Sequence, residues 1–297
     1  MANFDLKSYL DRHRGSIESA LERFLPSAEA RPATLHESIR YSVLAPGKRL
    51  RPTLVLAGAE AVGGDAEGVM RTACALECIH AFSLIHDDLP CMDNDDYRRG
   101  RLTNHKVYGE AMALLAGDAL LALAFQLIAD NVATAPADRV LPTLRLVSEA
   151  SGTWGMVGGQ VVDMESQGHE VTPETLQYIH AHKTGALLTA SVISGAMLAG
   201  ASEAQLKPLR SYGAHIGLAF QIADDILDVT GDEALIGKPV GSDEERDKAT
   251  YPRLYGLEES RSRAHGEVEA ALRALDGFDS RAEPLRAIAR YIVERDV

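Results

Sequence analysis

The chain has 297 residues, 46% of them hydrophobic and only 5% aromatic. Such a length allows one or two domains, and an aromatic-poor composition favours helices packed on helices over a β-sandwich or barrel. Forty-three acidic and thirty basic residues give a net charge of −13. That charge disfavours nucleic acid or an anionic membrane as a partner, so an anionic ligand needs local metal ions or local lysines and arginines.

In chain order, the predicted elements are all helices. Apolar residues recur at helical spacing, and proline, glycine and capping residues mark the helix ends. The predicted helices span residues 5–24, 35–44, 54–62, 66–89, 105–131 and 137–164, then one that opens at Thr172-Pro173-Glu174 and carries Lys183 and Thr184, and finally 204–231, 251–275 and 281–295. No strand is predicted.

The cysteine number, the first residues and the longest apolar run indicate the compartment of the protein and argue against a membrane span. Three cysteines are an odd number in a long chain and do not describe a disulfide framework. Residues 1–10 carry neither an apolar signal region nor a basic amphipathic transit pattern, so we expect a cytoplasmic protein. The longest apolar run, 111–129, contains Asp118, and an ionised aspartate near mid-bilayer costs about 2.5 to 3.5 kcal/mol. We therefore predict a buried helix and no transmembrane segment.

The first chemical signal is a run of five aspartates within residues 87–96. Asp87 and Asp93 are six residues apart, so a continuous helix places them well off a common face. Pro90 disfavours helical geometry at the residue before it. The helix is therefore predicted to end there and to return Asp93 toward Asp87.

A second acidic cluster contains Asp224, Asp225 and Asp228. Asp224 and Asp228 are four residues apart, so they share one face of a helix. Close carboxylates raise one another's pKa, which suggests Mg²⁺ with phosphate oxygens at its open positions. Either cluster alone also fits a solvated acidic face. The apolar turns that precede both clusters, residues 78–85 and 218–223, favour carboxylates that line a cavity.

Three other stretches have a composition that bears on ligand binding. A loop delivers Lys48, Arg49 and Arg51 together. The glycines within 152–159 follow no strand, so we interpret them as helix-packing positions rather than a phosphate-binding loop, with Gln160 and Asp163 reaching the cavity. Residues 236–248 are glycine-rich and charged, as expected for a lid.

These motifs resemble the trans-isoprenyl diphosphate synthase family, and within it the bacterial short-chain farnesyl diphosphate synthases. The family's DDxxxxD motif matches Asp87, Asp88 and Asp93, and its DDxxD motif matches Asp224, Asp225 and Asp228. Further matches in the family's order are residues 47–52, 77–80, 98–100, 159–160, 183–184, 220–221 and 237–239. The resemblance implies one all-α domain over residues 1–297, a bundle of roughly 10 to 13 helices around a central cavity. It also implies three Mg²⁺ ions per site and a homodimer.

The resemblance also assigns site residues. Isopentenyl diphosphate is expected to contact Lys48, Arg51, His80 and Arg99, although His80 could instead be a core histidine. The allylic diphosphate is expected to contact Arg98, Lys183, Thr184, Gln221, Lys238 and Lys248. The expected metal ligands are Asp87, Asp88, Asp93, Asp224 and Asp228. The oxygens of Lys183, Thr184 and Gln221 are expected to stabilise a carbocation.

The implied reaction joins isopentenyl diphosphate to dimethylallyl or geranyl diphosphate. Phe82 and Ser83 lie five and four residues before Asp87, and an aromatic ring about 7.5 Å along the helix is expected to close the channel for the growing tail. This predicts a fifteen-carbon product, farnesyl diphosphate. Three alternatives remain: a geranylgeranyl diphosphate synthase, a terpene cyclase, which has no use for an isopentenyl site, and a non-catalytic regulatory partner subunit.

Overall fold

The computed structural model describes residues 4–230 and 249–294. The α-helices of this part of the chain are α1 (Leu6–Phe24), α2 (Ala33–Val43), α3 (Leu50–Ala61), α4 (Met70–Asp87), α5 (Asn104–Tyr108), α6 (Glu110–Ala129), α7 (Ala137–Ser151), α8 (Met156–Ser166), α9 (Pro173–Ile179), α10 (Ala186–Leu198), α11 (Glu203–Thr230), α12 (Tyr251–Tyr255), α13 (Leu257–Ala274) and α14 (Glu283–Glu294). The predicted all-α class is confirmed.

Four of the predicted helices are each divided in two, at Gly109, at 152–155, at the π-turn 180–185 and at Gly256, so the described residues form fourteen α-helices, close to the roughly ten to thirteen expected. Gly109 separates α5 from α6 with φ 85°, and Gly256 separates α12 from α13 with φ 79°. A left-handed φ does not occur inside an α-helix and favours glycine. The apolar spacing continues across both breaks, which is why the sequence reads as one helix at each place.

Two of the helices begin at side chains that cap them, and one of these caps, Thr172, is at the predicted position. The Asp5 carboxylate accepts a hydrogen bond from the Ser8 amide and begins α1. The Thr172 hydroxyl accepts one from the Thr175 amide and begins α9. Both side chains satisfy backbone donors that have no partner within the helix. The predicted helix starts at 5 and 172 are therefore confirmed.

The core is built from helices that are apolar on all sides. Nine residues of α3 and ten of α10 are buried, and the two helices pack against each other. A helix without a polar face belongs inside a helical protein. This pair supports α11 on one side and α4 on the other, and those two helices carry the aspartate motifs.

Two segments are long and apolar enough to cross a membrane by length and composition, Glu67–Asp87 and Glu110–Ala133. Their most apolar windows are 67% and 39% buried, and α4 and α6 pack against each other. The prediction that the apolar run at 111–129 is buried is therefore only half right. Leu114 and Leu115 on α6 are exposed, because one face of this helix has no neighbour among the described residues.

Candidate active site

The first aspartate motif forms a tight return at the end of α4. Asp87 is the last residue of that helix, and the Asp93 amide donates to the Asp87 carbonyl oxygen at 2.8 Å. The amides of Met92 and Asn94 both donate to the Leu89 carbonyl oxygen. The predicted return of Asp93 toward Asp87 is thus present.

This return holds two carboxylates near each other in a poorly solvated place. Burial raises the pKa of Asp87; Lys183 opposes that rise and Asp93 adds to it. A buried carboxylate beside a second one is costly unless a cation lies nearby. Lys183 is one such cation, and a second cation near the two carboxylates would stabilise them further.

The side chain of Asp88, the second residue of the motif, is paired with Arg98. Its carboxylate is 3% exposed and accepts hydrogen bonds from Arg98 Nε and Nη2. Two parallel N–H bonds to one carboxylate fix the plane of the guanidinium. Asp88 therefore has a role that the sequence did not predict, the positioning of Arg98, and its assignment as a metal ligand stays a prediction.

A short hairpin separates the two arginines that follow. Strands β1 (Tyr97–Arg98) and β2 (Arg101–Leu102) pair antiparallel, with Arg98 opposite Arg101. Arg99 and Gly100 both have positive φ, the signature of a type I′ turn. Arg99 Nη1 donates to the Pro46 carbonyl oxygen at 2.9 Å. The two arginines diverge as predicted, although the strands were missed.

Of the residues predicted to bind isopentenyl diphosphate, Lys48 and Arg51 lie at the start of α3, His80 lies in the middle of α4, and Arg99 lies in the hairpin turn. Arg51 is in the first turn of α3, which begins four residues earlier than predicted. Burial lowers the pKa of Arg51 to about 10, against the effect of Glu77 and Asp224. Arg51 Nε and His80 Nδ1 are buried and have no hydrogen-bond partner among the described residues. Such groups ordinarily mark a ligand or an ordered water.

The adjacent residues Lys48 and Arg49 differ in their surroundings, a difference that the sequence did not predict. Arg49, between the predicted ligands Lys48 and Arg51, is buried with its Nη1 2.6 Å from a Glu77 oxygen and its Nη2 donating to the Ala45 carbonyl. Lys48 by contrast is exposed. Arg49 therefore braces the loop, whereas the Nε of Arg51 has no partner among the described residues and could meet an anion. His80 is neutral there, because burial and the nearby Arg51 hold its pKa well below the ordinary value.

Lys183 and Thr184 sit on a π-helical turn, His180–Gly185, between α9 and α10. A π-turn inserts one extra residue and is frequent at functional sites. Lys183 Nζ lies 2.5 Å from Asp163 Oδ2. Burial lowers the pKa of Lys183, but Asp163 and Asp87 together outweigh burial and leave that pKa raised. Lys183 is therefore a charged group that faces the first motif.

The glycine-rich stretch makes this approach possible. A Cβ on Gly159 of α8 would overlap the backbone of Lys183, so α8 and the π-turn pack backbone to backbone as the packing interpretation predicted. Asp163, one turn further along α8, then reaches Lys183. Gln160 Oε1 is buried and lacks a hydrogen-bond partner within the described ranges.

The second motif lies on α11, and its aspartates again differ in burial and in their partners. Asp224 and Asp228 are half-buried, whereas Asp225 is buried and accepts from Gln221 Nε2 and from the Tyr251 amide. Gln221 Oε1 in turn accepts from the Thr184 hydroxyl at 2.8 Å. This hydrogen bond joins α11 to the π-turn, whose Lys183 is close enough to Asp87 for that carboxylate to raise the Lys183 pKa, so the two motifs face one site.

Comparison with known proteins agrees with this geometry. A family model described as polyprenyl synthetase matches residues 32–288.

The chain belongs to the polyprenyl synthetase family. A geranylgeranyl diphosphate synthase of Cyanophora paradoxa is 50% identical, over 99% of this chain and 98% of its own. The farnesyl diphosphate synthase of Geobacillus stearothermophilus is 46% identical over 100% of both chains. A solved structure described as an FPP/GFPP synthase from Zymomonas mobilis has a TM-score of 0.87 at 39% identity, covering 97% of this chain and 98% of its own. This polyprenyl synthetase is therefore a prenyltransferase of isoprenoid synthesis.

In this polyprenyl synthetase the predicted channel floor lies beneath the first motif. Phe82 is 8% exposed, and its ring meets the His86 ring edge to face at 4.8 Å. The His86 ring is fixed in turn by a 3.0 Å hydrogen bond between Nε2 and the Leu114 carbonyl oxygen. The Ser83 hydroxyl donates to the His80 carbonyl oxygen. Phe82 is thus held against a braced neighbour rather than free to swing.

The carboxylates of the two motifs are hard oxygen donors of the kind that Mg²⁺ prefers. Burial, with Asp93 adding to it, raises the pKa of Asp87, so a nearby cation would favour its charged form. Within residues 4–230 and 249–294, no group of three or more His, Cys, Asp or Glu side chains could hold a metal alone. Diphosphate oxygens would have to complete any such site. The predicted lid and its ligands Lys238 and Lys248 lie outside the described residues.

Proposed function

We propose that this chain is a Mg²⁺-dependent farnesyl diphosphate synthase, which condenses isopentenyl diphosphate with dimethylallyl and then geranyl diphosphate. The allylic carbon–oxygen bond breaks and releases diphosphate, a carbon–carbon bond to the isopentenyl double bond forms, and the released diphosphate takes up the proton that is lost. The observation that carries the proposal is the Thr184–Gln221 hydrogen bond, which brings the second aspartate motif to the π-turn of Lys183, beside buried Arg51 and His80 nitrogens that have no partner among the described residues.

The acidic and the basic residues of the site have different roles in the proposed reaction. Asp87, Asp93, Asp224 and Asp228 are the residues that would hold Mg²⁺. When bound, the metal neutralises the leaving diphosphate. Arg98, fixed by Asp88, and Lys183 present further positive charge to the allylic diphosphate. Positive charge placed where the transition state develops negative charge is the most effective at lowering the activation barrier.

The second substrate is assigned to the other cations. Arg51, Arg99 and exposed Lys48 supply positive charge, while neutral His80 offers a buried ring nitrogen that lacks a protein partner among the described residues. A terpene cyclase needs no such second anion site. This set therefore favours a two-substrate condensation over cyclisation.

The product length is the finer part of the proposal. Buried Phe82 supports fifteen carbons, since its ring stands about 7.5 Å along α4 from Asp87. The second candidate is a geranylgeranyl diphosphate synthase, favoured by the 50% identity to the Cyanophora paradoxa enzyme. The intact motifs favour either enzyme over a non-catalytic regulatory subunit.

The test is the product formed from isopentenyl and dimethylallyl diphosphates with and without Mg²⁺, with Asp87→Ala as the matched variant. A fifteen-carbon product, lost in the variant and after chelation, supports the whole proposal. A twenty-carbon product keeps the chemistry and replaces the length assignment. No product from a folded wild-type chain would establish the regulatory-subunit alternative instead.

We also propose a cytoplasmic homodimer. The exposed apolar side chains Leu114 and Leu115 of α6, together with Trp154 at 81% exposure, support a second copy as the partner, because large exposed apolar patches mark interaction sites. The three cysteines are free, in keeping with a reducing compartment. Light scattering should give twice the chain mass of 32.0 kDa, and Leu115→Glu should lower it to one chain.

A further inference from the structure

Asp225 has none of the predicted binding or metal-ligand roles, yet it stands at the centre of a polar network. Its side chain is 3% exposed. One oxygen, Oδ1, accepts from Gln221 Nε2 at 3.1 Å. The other, Oδ2, accepts from the Tyr251 amide at 3.0 Å and lies 3.5 Å from His180 Nε2. The carboxylate therefore joins α11 to the π-turn and to the start of α12.

Two of these neighbours donate hydrogen bonds to the carboxylate, and the His180 ring lies within ion-pair distance of it. The Tyr251 amide can only donate. His180 Nδ1 is buried with no hydrogen-bond partner in the described part of the chain, which places the ring hydrogen on Nε2, toward Asp225. Gln221 must turn its NH₂ group to the carboxylate, because an amide oxygen there would face another acceptor.

The orientation of Gln221 follows from this. With its NH₂ held by Asp225, its carbonyl oxygen faces the Thr184 hydroxyl, on the same π-turn as Lys183. We propose that Asp225 is a positioning residue that keeps the carbonyl oxygen of Gln221, rather than its NH₂ group, directed at the site where positive charge develops on the allylic carbon. A carbonyl dipole stabilises a cation, and an NH₂ group in its place repels one.

The inference rests on the proposed function, since it concerns the carbocation of that reaction. It makes a specific claim about Asp225→Asn. The Tyr251 amide and His180 both require an acceptor, so the new amide must place its oxygen there and its NH₂ toward Gln221. Gln221 then has to reverse its own amide. The NH₂ group of Gln221 now faces Thr184, and the network has the opposite polarity with almost no change in shape.

A charge-conserving exchange should undo this reversal. In Asp225→Asn/Gln221→Glu, the carboxylate at 221 accepts from the amide at 225 with one oxygen and presents the other to Thr184. The net charge equals that of the wild type. Asp225→Asn/Val229→Asp is the matched control, because Val229 is exposed one turn further along α11 and restores the charge without contacting Gln221.

The experiment measures kcat, KM for both diphosphates and the half-saturating Mg²⁺ concentration, with thermal melting as a check of folding. Asp225→Asn should lower kcat about 10²-fold, the usual effect of losing one oriented polar group at the reacting centre, with KM and the Mg²⁺ requirement within about twofold of wild type. The Gln221→Glu exchange should recover at least a tenth of wild-type kcat, and the Val229→Asp control should recover none.

Proton exchange of the Gln221 side-chain NH₂, followed by NMR and assigned by its absence in Gln221→Glu, gives a readout independent of turnover. It should be slow in the wild type and at least tenfold faster in Asp225→Asn. The inference is overturned by equal exchange rates, by equal recovery in both double variants, or by a loss in Asp225→Asn that extra Mg²⁺ restores. An inactive wild type with the predicted difference in exchange removes the proposed function and leaves the positioning of Gln221 standing.

Discussion

Truncation of Phe82 to alanine tests the product-length assignment directly. The ring is 8% exposed and lies five residues before Asp87 on α4. If it closes the channel, its loss admits one more isoprene unit, whose five carbons gain about 4 kcal/mol at roughly 0.8 kcal/mol per buried CH₂. That gain corresponds to about three powers of ten in an equilibrium constant. We therefore expect the main product to change from fifteen to twenty carbons.

The assay is chromatography of the dephosphorylated products, coupled to mass measurement. Leu76→Ala is the matched control, because Leu76 is fully buried on the same helix and its truncation costs a comparable amount of stability, about 2 to 5 kcal/mol. The control should keep the wild-type product. A fifteen-carbon product from active Phe82→Ala refutes the argument, and longer products from both variants would show that α4 has merely loosened.

Other predictions concern the same helices. Ser83→Phe should shorten the main product in the same assay, because a second ring then stands nearer the metal ligands; an unchanged product contradicts this. Asp88→Asn should raise KM for the allylic diphosphate about tenfold, since Arg98 loses a charge-assisted bond, and should leave KM for isopentenyl diphosphate unchanged, since Arg99 does not contact Asp88; equal effects on both would be inconsistent with the assignment. Burial lowers the pKa of His180 to about 3 in the folded chain, whereas the unfolded chain binds a proton near the ordinary value of 6.5. The free energy of unfolding should therefore fall below pH 6.5 by up to about 1.4 kcal/mol per pH unit, and urea titrations of His180→Gln should lack that increment.

Local rules were enough to predict the features that depend on one residue and its immediate neighbours. Pro90 predicted the return of Asp93, and the amide of Asp93 does bond to the Asp87 carbonyl. Thr172 predicted the start of α9, where its hydroxyl caps the helix. In each case the deciding interaction spans only a few residues, so the sequence contains both partners side by side.

The π-turn could not be predicted in this way. Nothing in the residue types at 180–185 departs from an ordinary helix. The turn lies where Gly159 meets the backbone of Lys183 and where Gly217 meets Gly185, and those partners are more than twenty residues away in the chain. The hairpin at Arg99-Gly100 was missed for another reason, since strands of two residues carry no periodicity. Its glycine turn was the available signal.

Both aspartate motifs divide their adjacent pair in the same manner. Neighbouring residues of a helix point roughly 100° apart, so two consecutive aspartates cannot both face one cavity. Asp87 and Asp224 are half-buried toward the site, whereas Asp88 and Asp225 are each 3% exposed and turned into the protein. The inward carboxylate of each pair then has to be satisfied by donors, and it fixes whichever group supplies them. In the first motif that group is the guanidinium of Arg98. In the second it is the side-chain amide of Gln221. In each adjacent pair, one aspartate thus faces the site and the other orients a neighbouring polar side chain.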